Sequence, residues 1–236
     1  MDLTSAERLA GALTAVATAV VITAIAIVPF LSPAWVSFEQ GRANATGWTG
    51  YTTAELAAAT DAILADLVIG PPDFDVEVRG EAVLNERERS HMRDVRGVFA
   101  GFAGVALLAA AGLLVGYALA RRRGHPERAW RAIRNGARGL AIGVAIAGVI
   151  ALVAFDAAFE IFHRLFFSGG TYTFDPGTER LVQLFPFTFW SETSMAVGAV
   201  ILVLSIGGAV VAGRRLRGVA PAAASTPAVP AAEATR

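Results

Sequence analysis

Four long apolar runs are the feature that most constrains how this chain folds. A helix needs about 20 mostly apolar residues to cross about 30 Å of hydrocarbon, and the runs at 9–31, 97–120, 139–162 and 193–212 meet that requirement. The first run is too long for the apolar core of a signal peptide, and no clear cleavage site follows it, so we expect residues 1–31 to be retained. The sequence therefore predicts an all-α membrane protein with four transmembrane helices.

The arginines predict how the helices are oriented. Segment 121–138 carries seven Arg against one acidic residue, and three more Arg follow the fourth run at the start of segment 213–236. Because positively charged loops are retained in the cytoplasm, we expect both segments and both termini to be cytoplasmic. Segments 32–96 and 163–192 then face the outside. The carboxyl-terminal segment is rich in Ala and Pro, which is typical of a disordered tail.

The first outer segment, 32–96, contains signals for a small mixed α/β extracytoplasmic cap. Thr52 and Glu55 form a capping-box pattern that opens an amphipathic helix, and "GPP" at 70–72 ends it. "DFDVEVRG" then alternates apolar and charged residues, which indicates a strand with one buried face. Asn85 is a good N-cap with Glu88 three residues later, so a new helix should begin there and continue into the second apolar run.

The second outer segment, 163–192, is rich in aromatic residues. Counting Phe162 just before it, nine aromatic residues lie from Phe162 to Trp190, a composition that suits the headgroup level of a membrane. The same residues could also form a hydrophobic mouth for an acyl chain, and the sequence leaves both interpretations open. Asp175 and Pro176 predict the start of a short helix, which Pro186 should end.

Only three histidines are present, and two of them lie near the same predicted membrane surface. His125 falls in the Arg-rich loop, where we expect it to be solvated. His91 and His163 lie at the outer ends of the second and third runs. Helical spacing places Glu88 and Asp94 on the same face as His91.

His163 shares its helix face with two acidic residues, Asp156 and Glu160, at spacings of seven and three residues. Asp156 should lie inside the outer edge of the hydrocarbon, where an acid normally faces the bundle interior or a wet cavity. The pattern predicts that Asp156 or Glu160 orients His163, as Glu88 and Asp94 would orient His91.

Two histidines with nearby carboxylates favour general acid–base catalysis. The chain lacks Cys, a "GxSxG" nucleophile elbow and an "HExxH" motif, which argues against thiol, serine and zinc hydrolases. The dense charge around His91 opposes bis-histidine haem ligation without excluding it, and the zero net charge argues against nucleic acid as a partner. We expect no cofactor and no metal. A non-catalytic envelope protein that binds or assembles with a partner remains the alternative.

Two blocks, "ERSHMRDVRGVF" and "FHRLFFSGGTYTFDPGTERLVQLFPFTFW", resemble the bacterial integral membrane family that contains the lipoprotein intramolecular transacylase. The family pattern has Glu-x-x-His-Met/Leu-x-Asp-Val before the second span. After the third span it has Phe-His-x-x-Phe-Phe, followed by Phe-Asp-Pro and Leu-Phe-Pro segments. The blocks cover about 40 residues, and the layout of four spans agrees over the rest of the chain. Tyr172 departs from the pattern, because Trp is expected there.

This resemblance implies an enzyme of the bacterial plasma membrane with its active site at the extracytoplasmic face. Its partners would be diacylglyceryl lipoproteins and outer-leaflet lipid. The acyl group on the middle glycerol carbon would move to the α-amino group of the N-terminal cysteine, giving a lyso-form lipoprotein. The functional histidines of the family correspond to His91 and His163. The candidate donors to the oxyanion are a protonated histidine, Arg93, Arg164 and the amides of Gly169 and Gly170.

Overall fold

The computed structural model describes residues 5–167 and 172–219. In chain order the elements are α1 (Ser5–Ile27), a 3₁₀ turn (Val28–Leu31), α2 (Pro33–Arg42), α3 (Ala45–Thr49), α4 (Thr53–Val68), β1 (Glu77–Val78), β2 (Glu81–Ala82), α5 (Glu86–Arg122), α6 (Pro126–Phe166), α7 (Arg180–Leu184) and α8 (Phe187–Val219). The long helices α1, α5, α6 and α8 form a bundle, and the shorter elements lie together at one end of it.

Four helices are long and apolar enough to cross a membrane, as the apolar runs predict: α1 with its 3₁₀ extension, α5, α6 and α8. Their outward surfaces are apolar, with Leu107, Leu114 and Val153 each more than 70 % exposed. Such surfaces suit a solvent of lipid chains. Helix α6 packs against α1 and α8, and Gly136 makes the approach to α1 possible because a Cβ there would collide with the backbone of Ala15.

The predicted loop at 121–138 is mostly helical, which differs from the expectation. Only Arg123–His125 separate α5 from α6, and the turn uses Gly124 at a φ of +76°. Arg, Ala and Glu are good helix formers, and Pro126 suits the first turn of a helix, so both helices extend beyond the apolar runs. Likewise α8 continues to Val219, so the predicted tail at 213–236 begins as helix. Its remainder, 220–236, lies outside the described residues.

The cap helix α4 forms as predicted. Thr52 Oγ1 accepts a hydrogen bond from the Glu55 amide (3.3 Å), and the Thr52 amide donates to Glu55 Oε2 (2.9 Å), which completes the capping box. Helical spacing predicts one apolar face made of Leu56, Ala59, Ile63 and Leu67. The first three are buried, and Leu67 is partly buried against the same core. Two further helices of the cap, α2 and α3, carry no pattern that predicted them.

The predicted strand is shorter than its alternating pattern. Only Glu77–Val78 pairs, antiparallel, with Glu81–Ala82, across a turn in which Arg79 and Gly80 both have positive φ. Phe74 and Val76 are nevertheless buried, as the alternation predicts. They pack in one hydrophobic core with α4 and, from the second outer segment, with residues of α7.

Asp175 does not start a helix. Its carboxylate accepts a hydrogen bond from the Gly177 amide at 2.8 Å, which forms a local turn typical of Asp. The short helix α7 begins five residues later and ends before Pro186. Leu181 and Leu184 of α7 are buried in the cap core, so the segment that carries α7 folds onto the cap.

Candidate active site

Helix α5 starts at the position that Asn85 dictates. Asn85 Oδ1 accepts the Glu88 amide at 3.0 Å, and Glu88 Oε2 accepts the Asn85 amide at 2.7 Å, forming a reciprocal capping box. The helix then continues without a break from Glu86 past His91 to Arg122. His91 therefore lies near the start of a spanning helix, and its side chain is only 6 % exposed.

His163 occupies the matching position at the end of α6, one turn before that helix ends at Phe166. The rings of His91 and His163 have centroids 6.2 Å apart and are 22° from parallel. Both histidines are buried. Two side chains 72 positions apart in the sequence thus meet within one small site, and general acid–base chemistry requires such proximity.

The two rings differ in their hydrogen bonding. His163 Nδ1 lies 2.8 Å from the carbonyl oxygen of Phe159. Because a carbonyl can only accept, the proton is assigned to Nδ1, which leaves Nε2 with a free lone pair when the ring is neutral. His91 Nδ1 is buried and has no hydrogen-bond partner within 5–167 or 172–219.

Aromatic rings surround the pair. Phe167 and Phe174 approach His91 with centroid distances of 4.8 and 5.4 Å. Phe159 and Tyr172 approach His163 at 4.0 and 5.0 Å. These rings exclude water from one side of the histidines, and electrostatic effects are stronger in such an environment than in bulk water.

Glu88 does not contact His91 by a hydrogen bond, although both share a helix face. Its Oε1 accepts the amide of Leu181 at 2.6 Å, and its Oε2 closes the capping box with Asn85. The side chain is 1 % exposed. Glu88 thus joins the start of α5 to α7, across 93 positions in the sequence.

A second carboxylate, Glu179, joins the same two regions and was not predicted from the sequence. It accepts hydrogen bonds from the Arg87 guanidinium, from Asn85 Nδ2 at 3.4 Å and from the Asp175 amide at 2.7 Å. Burial works to raise the pKa of Glu179, but these donors outweigh it and hold the pKa below its usual value. Arg87 also lies over the Phe174 ring, 4.9 Å from its centroid, so this ion pair helps to hold a ring that contacts His91.

The other predicted orienting acids are not hydrogen-bonded to a histidine. Asp94 is exposed on α5. Asp156 is exposed on α6, so it is not buried in the bundle interior. It lies seven residues, or about 10 Å along the axis, from His163. The segment between α6 and α7 that carries Phe167, Tyr172 and Phe174 (the aromatic loop) contacts the histidines but leaves Asp156 exposed. The face that these residues share is therefore buried only at its His163 end.

Glu160 is bound to other side chains. Its Oε1 accepts from Arg164 Nε at 2.7 Å and from the Tyr172 hydroxyl at 3.2 Å. Tyr172 therefore connects Glu160 to the neighbourhood of His163, whose ring it contacts.

The candidate oxyanion donors differ in whether their groups are already bound to another residue. Arg93 donates to Glu86 Oε1 at 2.6 Å on the surface of α5, and Arg164 is occupied by Glu160. Gly169 and Gly170 lie outside the described residues. Across the two described stretches, no three His, Asp or Glu side chains are grouped as ligands for a metal ion.

Comparison with known proteins identifies the family. Residues 11–190 match the family of the lipoprotein intramolecular transacylase Lit. The fold is similar to the in meso structure of the membrane integral Lit from Bacillus cereus, with a TM-score of 0.70, 19 % identity, and coverage of 90 % of this chain and 95 % of that chain. A variant of that protein with a histidine-to-alanine substitution matches with a TM-score of 0.66 and 20 % identity, covering 90 % and 93 %. No curated protein is significantly similar in sequence. Since the family match extends over most of the chain, this multi-pass membrane protein belongs to the lipoprotein intramolecular transacylase family.

Proposed function

We propose that this protein moves the acyl group on the middle glycerol carbon of a diacylglyceryl lipoprotein to the α-amino group of the lipoprotein's N-terminal cysteine. The observation that carries this proposal is the pair of buried histidine rings, with centroids 6.2 Å apart, on two spanning helices of a chain in this family. In the orientation that the arginines predict, both termini are cytoplasmic. The pair then lies at the extracytoplasmic face of the plasma membrane, at the level of an outer-leaflet glyceryl ester.

The spacing of the rings suits an acyl transfer. A general base and a general acid must each come within about 2.6–3.2 Å of the atom that they serve. In the tetrahedral intermediate, the attacking nitrogen and the leaving oxygen are bonded to the same carbon, so one intermediate lying against both rings can contact both. Part of the rate would come from proximity, because the amine and the ester belong to one substrate molecule.

The hydrogen bonding of the rings supports different roles for the two histidines. With Nδ1 of His163 directed at the Phe159 carbonyl, Nε2 is available to accept a proton, and we assign His163 as the base. The substrate ammonium first releases one proton to solvent, and the neutral amine then attacks the ester carbon. His163 takes the second amine proton, which passes through His91 to the leaving glyceryl oxygen as the C–O bond breaks. One C–N bond replaces one C–O bond, and the enzyme ends in its starting protonation state.

The oxyanion of the intermediate also needs a donor. Arg93 and Arg164 each bind a carboxylate, which disfavours both. We therefore favour the amides of Gly169 and Gly170, which follow α6 in the sequence, or a protonated histidine.

The proposal assigns a supporting function to the two buried carboxylates. Glu88 and Glu179 bind the aromatic loop to the start of α5, and that loop supplies Phe174, which contacts the His91 ring. They would therefore position the histidines through the loop rather than through direct hydrogen bonds. Asp94 and Asp156 are both exposed, and Asp94 acts on His91 only through its charge.

The test is expression in a strain that lacks other enzymes for N-acylation, followed by mass spectrometry of the N-terminal peptide of a lipoprotein. The wild type should give the N-acylated lyso-form. His91→Ala and His163→Ala should abolish it while the protein still melts cooperatively, and His125→Ala, at the opposite end of the bundle, should leave it intact. A wild type that yields only diacylglyceryl peptide with a free amine would overturn the proposal. That outcome would favour a non-catalytic envelope protein, whereas full activity in both site variants would overturn the assignment of His91 and His163 as the catalytic residues.

A further inference from the structure

A second concave site lies at the end of the bundle opposite to the histidine pair. A cavity of about 480 Å³ opens between the start of α1, the end of α5 and the start of α6. It is far from the aromatic loop and has no part in the proposed acyl transfer.

The lining of this cavity is strongly basic. Four arginines face it, Arg8, Arg123, Arg128 and Arg131, against a single lining carboxylate, Glu7. Arg128 is bound to Glu7. The other three guanidiniums form no ion pair with any residue of the described ranges. Three positive charges without an ion pair among the described residues line one cavity, and an anion bound there would relieve their mutual repulsion.

The start of α6 adds its helix dipole, which Glu127 in the first turn, 3.3 Å from His125 Nδ1, partly offsets. His125, the N-cap residue, lines the cavity and makes no side-chain capping hydrogen bond. The first amides of a 41-residue helix therefore lack that cap, at the end where the helix dipole is positive. A phosphate oxygen suits such a position, and guanidinium groups can bind phosphate through two parallel hydrogen bonds.

Most of the remaining lining is small and apolar, with Thr14 and Asn135 as polar exceptions and Leu119 as a larger residue. Gly11 and Ala15 on α1 and Gly116 and Ala120 on α5 form much of it, and these helices are spanning candidates whose sides meet lipid. A cavity with a basic rim and a shallow apolar groove suits a ligand with an anionic head and a hydrocarbon chain.

We propose that this cavity binds the phosphate headgroup of an anionic phospholipid in the leaflet at that end of the bundle. In the orientation predicted from the arginines this is the cytoplasmic leaflet, whose anionic lipids are bound by basic pockets between spanning helices. The headgroup lies among Arg8, Arg123 and Arg131, and one acyl chain follows the small residues of α1 and α5.

The experiment measures binding to the full chain in detergent, by thermal melting and native mass spectrometry. Phosphatidylglycerol should raise the melting temperature saturably, whereas phosphatidylcholine and inorganic phosphate at equal concentration should not. A triple variant, Arg8→Gln, Arg123→Gln and Arg131→Gln, should lose the effect. Since each basic residue near an anionic surface contributes roughly fivefold in affinity, the expected loss is on the order of a hundredfold.

The matched control is a second triple variant, Arg121→Gln, Arg122→Gln and Arg138→Gln. It changes the net charge equally, at exposed arginines that do not line the cavity. An equal loss of affinity in both triple variants would mean that general charge attracts the lipid, and would overturn the site. Equal stabilisation by inorganic phosphate would overturn the lipid as its ligand. If the cavity variant does not fold, Arg123→Gln and Arg122→Gln are compared alone, with an expected loss only in the first.

Discussion

Glu39 should make the stability of this protein depend on pH in an uncommon direction. It lies on α2, is 1 % exposed, and its Oε1 is buried without a hydrogen-bond partner in the described parts of the chain. Burial raises the pKa of Glu39 from 4.5 to about 7, reinforced by the neighbouring carboxylate of Glu192 and partly offset by Arg42. Arg42 itself is engaged by Glu192, with Nε 2.6 Å from Oε2.

The sign follows from the raised pKa. The unfolded chain releases the proton of Glu39 near pH 4.5, whereas the folded protein retains it until about pH 7. The contribution to stability is therefore complete below pH 4.5 and is lost as the pH rises towards 7. At about 1.4 kcal/mol per pH unit, the free energy of unfolding falls by about 3 kcal/mol over that interval. For a chain of this size that corresponds to roughly 6–12 °C in melting temperature.

The assay is thermal unfolding between pH 5 and pH 8, followed by tryptophan fluorescence, in wild type and in Glu39→Gln. The glutamine cannot ionise, so the variant should lose this pH dependence and be more stable than the wild type at pH 8. Glu77→Gln, at an exposed position on β1, is the control and should follow the wild type. Parallel profiles for wild type and Glu39→Gln would refute the assignment of a buried, protonated Glu39.

Three further substitutions test the packing and the positioning of the loop. Glu88→Ala leaves two backbone amides without their acceptor, so the free energy of unfolding should fall by about 3 kcal/mol. Mass spectrometry should also detect less N-acylated lipoprotein. Gly136→Ala forces α6 away from Ala15 and should lower the free energy of unfolding by about 1–3 kcal/mol. The control is Gly139→Ala, whose added methyl group meets open space. Equal melting temperatures for the two variants would contradict this reasoning. Ser205 buries a hydroxyl with no hydrogen-bond partner among the described residues, so Ser205→Ala should melt at the same or a higher temperature.

The four spanning helices could be predicted from the sequence because hydropathy is a local property. The ends of these helices could not be predicted, because the thickness of the hydrocarbon sets the length of the apolar run but not the length of the helix. Helix α6 starts at Pro126, well before the run that begins near residue 139, since the intervening Arg and Ala residues favour helix on their own. The start of α5 was predictable for the opposite reason, because Asn85 and Glu88 form a capping box within four residues.

The candidate site was predictable in its two histidines but not in the partners of its acids. Helical spacing predicts which side chains share a face, and Glu88 does share a face with His91. The spacing cannot state which distant group that face will meet, and the Leu181 amide is 93 positions away. Glu179 was missed for the same reason, because its partner Arg87 lies on another element. The one local signal for Glu179 was its position as an acidic residue within an aromatic-rich segment.

The charged stretch at the start of α5 has two structural consequences that depend on one carboxylate. Glu88 completes the cap that determines where α5 begins, and the start of α5 sets the height of His91 along the bundle. The same carboxylate holds α7 through the Leu181 amide, and the segment before α7 supplies Phe174 against the His91 ring. A change at Glu88 therefore alters the helix that carries His91 and the loop that covers it together, so its effect on activity should exceed that of any single aromatic contact.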